Sequence, residues 1–307
     1  MATGYRLMPS YDDRFSMCQA TINAIEAGYR HIDTAFIYLT EDIVGKAIAN
    51  VTRRGIVKRK DLYISTKLPY SVVNRAGVVP AVKNALKRLQ LDYVDLCLIH
   101  QPVDMVGSKD YDNLEIWRGL EDAKRLCLTR SIGLSNFNST FMTRILANSD
   151  TVPAVNQLET NPTYANLETV AYCQSLNIVV TGYAPFGFLV PRTLNDLSLP
   201  PTFDDPFLVG LARKYAVNVS QIVLRYPVER GIIPIAKSSN IDHIKQNVDI
   251  FGFTIDPEDI LRINQFDRNV KVYRIDYPGL FQFVRDNYPF VRRYVRRNNL
   301  RQYIDDL

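Results

Sequence analysis

Short apolar runs recur along the chain, at residues 29–35, 62–66, 94–99, 131–135, 154–159, 178–184 and 232–236. Most lack the alternation of a half-exposed strand and read as strands covered on both faces. Between them, apolar positions return every three or four residues, the period of a helix with one buried face. Residues 15–27 place Cys18, Ile22 and Ile25 on one such face, and Gly28 is a fitting stop. Residues 41–51 carry the stripe Ile43, Val44, Ala47 and Ile48. Further helices are predicted over 79–91, 113–128, 139–147, 167–176, 219–229, 242–251 and 257–266, with Pro227 expected to bend or end its helix early. A short strand near residues 2–7 makes eight strands. The alternation predicts an α/β fold, a closed (β/α)8 TIM barrel, as one domain over 1–307. A dinucleotide-binding doubly wound sheet would carry Gly-x-Gly-x-x-Gly after its first strand, and that motif is absent.

Composition narrows the class. The 307 residues are 47% hydrophobic and 22% charged, ordinary for a globular protein. A net charge of +5 with acids and bases mixed argues against a dedicated nucleic-acid protein. Cys18, Cys97, Cys127 and Cys173 form no Cys-x-x-Cys pair, which suits a reducing, cytoplasmic setting. No apolar segment follows the first charge at the N-terminus, so no signal peptide is expected. The longest uncharged run, 169–191, is interrupted by Gln174, Asn177, Gly182, Pro185 and Gly187 and reads as helix end, strand and loop, not as a membrane span. Three scattered histidines give no metal-ligand spacing, and no Gly-x-Ser-x-Gly elbow points to a hydrolase.

In a (β/α)8 barrel the C-terminal strand ends gather at one mouth. Asp33, Lys67 and His100 end three strands, and Tyr38 lies five residues past Asp33. A phenol gives up its proton more readily beside an ammonium, which Lys67 would supply and Asp33 would hold. A neutral His100 would orient a carbonyl oxygen by a hydrogen bond. Singly, each has a structural reading, and Asp33 with Lys67 alone would pass for a buried ion pair. The four together, in order, read as a reaction centre.

At these residues the chain resembles the aldo-keto reductase family. The likeness is carried by Gly28 to Tyr38 with Glu41, Val44 and Gly45; by Ser65-Thr66-Lys67-Leu68; and by Asp92 to Pro102 around Asp95 and His100. It continues through Ile132-Gly133, Ser135-Asn136-Phe137, Asn156-Gln157 with Glu159, Tyr183 with Pro185 and Gly187, and Ile233 to Ser238, covering about residues 3–270. The resemblance implies NADPH-dependent reduction of aldehydes or ketones to alcohols, with Tyr38 as general acid, tuned by Lys67 and Asp33, and His100 placing the substrate oxygen. It implies that the nicotinamide stacks on Tyr183, with Ser135, Asn136 and Gln157 on its carboxamide. Lys237 and Ser238 match positions that hold the adenosine 2′-phosphate, and Asn247 one that contacts adenine. A monomer acting on a small-molecule carbonyl, without metal, nucleic acid or membrane, is expected. The alternative is a catalytically quiet nicotinamide-binding regulatory protein on the same barrel.

The chain also departs from the family pattern. His243 stands where an arginine usually meets the 2′-phosphate, so NADPH preference should weaken by about 1–2 kcal/mol. Gln101 and Pro69 replace pocket tryptophans, Asn161 a histidine and Ala184 a serine. The N-terminal hairpin is expected to be reduced or absent. The extension 271–307, rich in aromatics and ending in Arg292, Arg293, Arg296, Arg297 and Arg301, is expected to close the substrate side.

Overall fold

The first four apolar runs form the parallel strands β1 (His31–Asp33), β2 (Tyr63–Lys67), β3 (Val94–Ile99) and β4 (Thr129–Ser135). A computed structural model of the protein describes residues 1, 11–190 and 201–273. The strand expected near residues 2–7 and the segment after 273 lie outside the described residues. The chain divides into two compact units, the described residues up to Val155 in the first and those from Asn156 in the second. The strands follow one another in a single sheet in chain order.

In the first unit, Ile32 pairs with Ile64, Ser65 with Leu96, and Leu98 with Gly133. Every residue of β3 is buried, as its unbroken apolar run requires. Helices α1 (Tyr11–Glu26), α2 (Glu41–Arg53), α3 (Arg75–Leu89), α4 (Asn113–Arg125) and α5 (Ser139–Leu146) connect or flank these strands. Glycine is demanded where backbones approach closely, as at Gly45 and Gly133. A Cβ on Gly45 would run into the carbonyl group of Leu89, so α2 and α3 touch backbone to backbone. A Cβ on Gly133 would lie 2.5 Å from the Val155 carbonyl oxygen.

In the second unit, β5 (Val155–Glu159) starts at the boundary, and β6 (Val179–Tyr183) pairs in parallel with β7 (Ile232–Ile235). Around them are α6 (Leu167–Ser175), α7 (Pro206–Lys214), α8 (Val219–Glu229), α9 (Ile241–Val248) and α10 (Pro257–Ile263). Leu208, Leu211, Ile222, Tyr226 and Ile263 form one core of this unit.

Four helices differ from the sequence reading. α1 begins at Tyr11, a turn before residue 15. α3 begins a turn earlier than residue 79, with Pro80 inside it. Its ring removes the bond to the carbonyl of Ala76, but Ala76 is exposed and water can take that bond. α8 does not end early: it runs to Glu229, with Pro227 in its last turn, where little helix remains to disrupt. α7 was not anticipated, although Asp205 caps it by accepting from the Phe207 and Leu208 amides and Pro206 occupies its first turn.

Candidate active site

Alternation along a strand places His31 and Asp33 on one face of β1 and Ser65 and Lys67 on one face of β2. The register sets Asp33 opposite Ser65. Lys67 Nζ donates to Asp33 Oδ2 at 2.6 Å and to the Thr34 carbonyl at 3.0 Å, and both charged side chains are at most 2% exposed. The other carboxylate oxygen, Oδ1, accepts from Ser65 Oγ at 2.8 Å. Because Ser65 spends its hydrogen there, His31 Nε2, 3.0 Å from the same hydroxyl, must be the donor to it. His31, Ser65, Asp33 and Lys67 thus form one hydrogen-bonded row.

Tyr38 ends a single 3-10 turn, Phe36–Tyr38, and the left-handed Leu39 (φ 53°) reverses the chain after it. Lys67 Nζ lies 5.0 Å from the centre of the Tyr38 ring. His100, the residue after β3, sets its ring edge-on to Tyr38 with centroids 6.0 Å apart and is flanked by Tyr70 at 5.2 Å. The structure therefore brings together all four residues singled out as a reaction centre. It adds Ser65 and His31, which sequence reasoning left unassigned. The signal was present in His-x-Asp and Ser-x-Lys, since a spacing of two puts each pair on one strand face.

Electrostatics follow from burial. Desolvation pulls the Lys67 ammonium below its ordinary value, with the Asp33 charge opposing. Burial, reinforced by the Lys67 charge, drives His100 down to about 3, so its imidazole is neutral near pH 7. Burial likewise takes His31 to about 4. The centre holds one fixed cation beside a phenol, with a neutral imidazole across from it. That set can deliver a proton to an oxygen while donating a second hydrogen bond to it.

The remaining candidates fall in both units. In the first, buried Ser135 ends β4 and Asn136 follows in a left-handed conformation (φ 67°). Asn136 Nδ2 donates to Ser135 Oγ and to the His100 carbonyl, each at 3.1 Å, which ties this corner to the reaction centre. In the second unit, Gln157 is buried on β5, and Tyr183 at the end of β6 has its ring 6.0 Å from that of Tyr273. Glu159, two residues past Gln157 and so on the same strand face, accepts from the Val272 and Tyr273 amides and from Asn161 Nδ2. Burial raises its carboxyl above the ordinary range. The sequence reading gave Glu159 no role.

Lys237 and Ser238 follow β7, and His243 and Asn247 are one turn apart on α9. Asn240 caps α9, its Oδ1 accepting from the Asp242 and His243 amides. Those two amides are thereby committed, so an anion here would depend on side chains. An exposed ammonium, a hydroxyl and an imidazole make a donor set suited to a phosphate. No group of three or more His, Cys, Asp or Glu among the described residues is arranged to hold a metal.

Residues 16–268 match the family model described as the aldo/keto reductase family. The silkworm (Bombyx mori) aldo-keto reductase AKR2E4 is 46% identical over 286 residues, covering 91% of this chain and 92% of the relative. Its crystal structure in complex with NADP superposes with a TM-score of 0.85 over the same shares. The aldo-keto reductase AKR2E5 complexed with NADPH is 36% identical with a TM-score of 0.84, over 88% of this chain and 85% of that one. Bovine (Bos taurus) prostaglandin F synthase 1 is 36% identical over 83% of this chain and 84% of its own. Likeness of this extent, on a chain whose strand ends carry this acid–base set, shows that the protein belongs to the aldo/keto reductase family, oxidoreductases built on the (β/α)8 barrel.

Proposed function

We propose that the protein is an NADPH-dependent reductase of aldehydes and ketones in which Tyr38 is the proton donor. The observation that carries this reading is the buried Lys67–Asp33 pair set against the Tyr38 ring with neutral His100 edge-on to it. The bound nicotinamide supplies the hydride. His100 donates a hydrogen bond to the carbonyl oxygen and so aligns it. Tyr38 passes its phenolic proton to that oxygen as negative charge develops there. The Lys67 ammonium stabilises the charge left on Tyr38, and Asp33, held by Ser65, keeps the ammonium in place.

Ser135, Asn136 and Gln157 would hold the carboxamide of the cofactor, and Tyr183 would lie flat against its ring. Lys237, Ser238 and His243 would take the 2′-phosphate, with Asn247 at the adenine. Two relatives whose structures are described as complexes with NADP and NADPH support this choice of cofactor. The protein is expected to act as a monomer. No observation favours a purely regulatory role. Tyr38→Phe should abolish NADPH oxidation with an activated aldehyde while NADPH still quenches protein fluorescence with unchanged affinity. Turnover retained in that variant would overturn the assignment of Tyr38.

A further inference from the structure

Another buried ion pair backs the reaction centre. Glu41, the first residue of α2, accepts at Oε2 from Arg88 Nε of α3 at 2.7 Å, and both side chains are at most 1% exposed. Its other oxygen, Oε1, accepts from Thr66 Oγ1 at 2.7 Å. Thr66 precedes Lys67 on β2, so alternation turns its side chain to the opposite face of the strand. Arg88 also sets its guanidinium 5.1 Å from the centre of the Phe36 ring, and buried Phe36 opens the turn that ends in Tyr38. The stems of that turn are tied as well: Thr34 Oγ1 lies 3.3 Å from Thr40 Oγ1, and the Thr34 carbonyl accepts from Lys67 Nζ. Gly45 lies four residues past Glu41, on the same face of α2. Its backbone contact with Leu89 brings Arg88, the residue before, within reach of Glu41.

Buried charge of this kind is a poor source of stability, because well-packed apolar residues of similar volume often serve a fold as well or better. What it supplies is direction: a carboxylate bonded at both oxygens fixes the groups that hold it. We propose that Glu41, braced by Arg88, is a positioning residue that sets the Lys67 ammonium against the Tyr38 phenol. It acts on Lys67 through Thr66 and on Tyr38 through the turn that Phe36 opens. Lys67, Asp33 and His100 remain the titratable groups gathered at the phenol. This inference deepens the reductase reading and rests on it for its kinetics.

Thr66→Val keeps the shape of the side chain and removes the donor to Glu41, whereas Thr66→Ser keeps the donor. Glu41→Gln keeps the shape of the acid and removes its charge. For each variant kcat and KM are measured with NADPH and an activated aldehyde, and NADPH affinity by fluorescence quenching. The Tyr38 phenol is titrated by NMR in protein whose tyrosines carry carbon-13 at Cζ, its resonance identified by its loss in Tyr38→Phe. T66V should lower kcat about tenfold with KM and NADPH affinity unchanged, and E41Q at least as much. In both, the phenol should titrate at higher pH than in wild type, because the ammonium no longer sits as closely against it. T66S should match wild type in both readouts. A merely structural role would lower the melting temperature and leave the kcat and phenol titration of the folded protein alone. Where wild type turns over, a T66V that matches it in kcat or in titration would overturn the proposal, even if E41Q fails to fold, and so would equal losses in T66V and T66S. A phenol shifted in T66V while wild type reduces no carbonyl would overturn the reductase reading and leave the positioning of Tyr38 by Glu41 standing.

Discussion

Asp33 divides its two oxygens between two tasks: Oδ2 holds the Lys67 ammonium and Oδ1 is held by Ser65. Ser65→Ala leaves the ion pair intact but removes the Ser65 hydrogen bond to one carboxylate oxygen and the hydroxyl that His31 Nε2 meets. A lost hydrogen bond to a charged group is worth about 1.5–3 kcal/mol, so kcat should fall roughly ten- to a hundredfold with little change in KM. Steady-state kinetics on a single aldehyde would check this, and an unchanged kcat would remove Ser65 from the positioning row. The two buried histidines make stability depend on pH. Both have folded-state values below the ordinary 6.5, about 4 for His31 and about 3 for His100, so the unfolded chain binds their protons more readily. Their contribution is fully present above pH 6.5 and is lost as the pH falls toward those values. Within that window each steepens the loss by up to about 1.4 kcal/mol per pH unit. Urea unfolding at pH 7, 6 and 5 should show this, and His100→Gln should remove about half of the slope.

Among the elements, α4 contributes Ile116 to a recess beside His100. Asp112 caps the helix, accepting from the Leu114 and Glu115 amides, and also pairs with Arg144 of α5. Its neighbours Tyr111 and Asn113 hold the chain beyond His100. Asp112→Ala should cost about 1–2 kcal/mol, read as a lower midpoint in urea with the same m-value. The Gly45 contact is less forgiving, because the opposing atoms are the backbone of Leu89 and cannot rotate away. Gly45→Ala should part α2 from α3 and cost about 1–3 kcal/mol or more, seen as a drop in melting temperature. Elements also show where sequence reading reaches its limit. Seven strands were legible because most of them lie in short apolar runs separated by helix-like periods. α3 starts a turn before the predicted residue 79 with Pro80 inside it, and only the solvent-facing Ala76 explains how the proline is tolerated. α7 is short, and its apolar stripe has meaning only against α8 and α10.

For the whole molecule, cofactor binding should appear as added stability, since a ligand that binds only the folded chain shifts unfolding by mass action. At one hundred times its dissociation constant NADPH should contribute about 2.7 kcal/mol. Lys237→Ala should cut the melting shift caused by NADPH while leaving that caused by NADH nearly unaltered, because only the former carries a 2′-phosphate. Equal losses for both would remove Lys237 from phosphate recognition.

The order of strands and helices, and the chemical types at the strand ends, could be read from the chain alone. Both are local properties: apolar periodicity spans a few residues, and Asp33, Tyr38, Lys67 and His100 sit where their own strands end. Family membership followed from the same short motifs. What needed the tertiary structure were relations between residues far apart in sequence. The register of β1 against β2 decides that Asp33 faces Ser65 and that His31 joins the row. The packing of the segments after β2 and β3 decides that Gln101 is buried next to His100, its side-chain oxygen unpaired among the described residues. No local pattern encodes which distant side chain will complete a hydrogen bond, because that depends on how whole elements settle against one another.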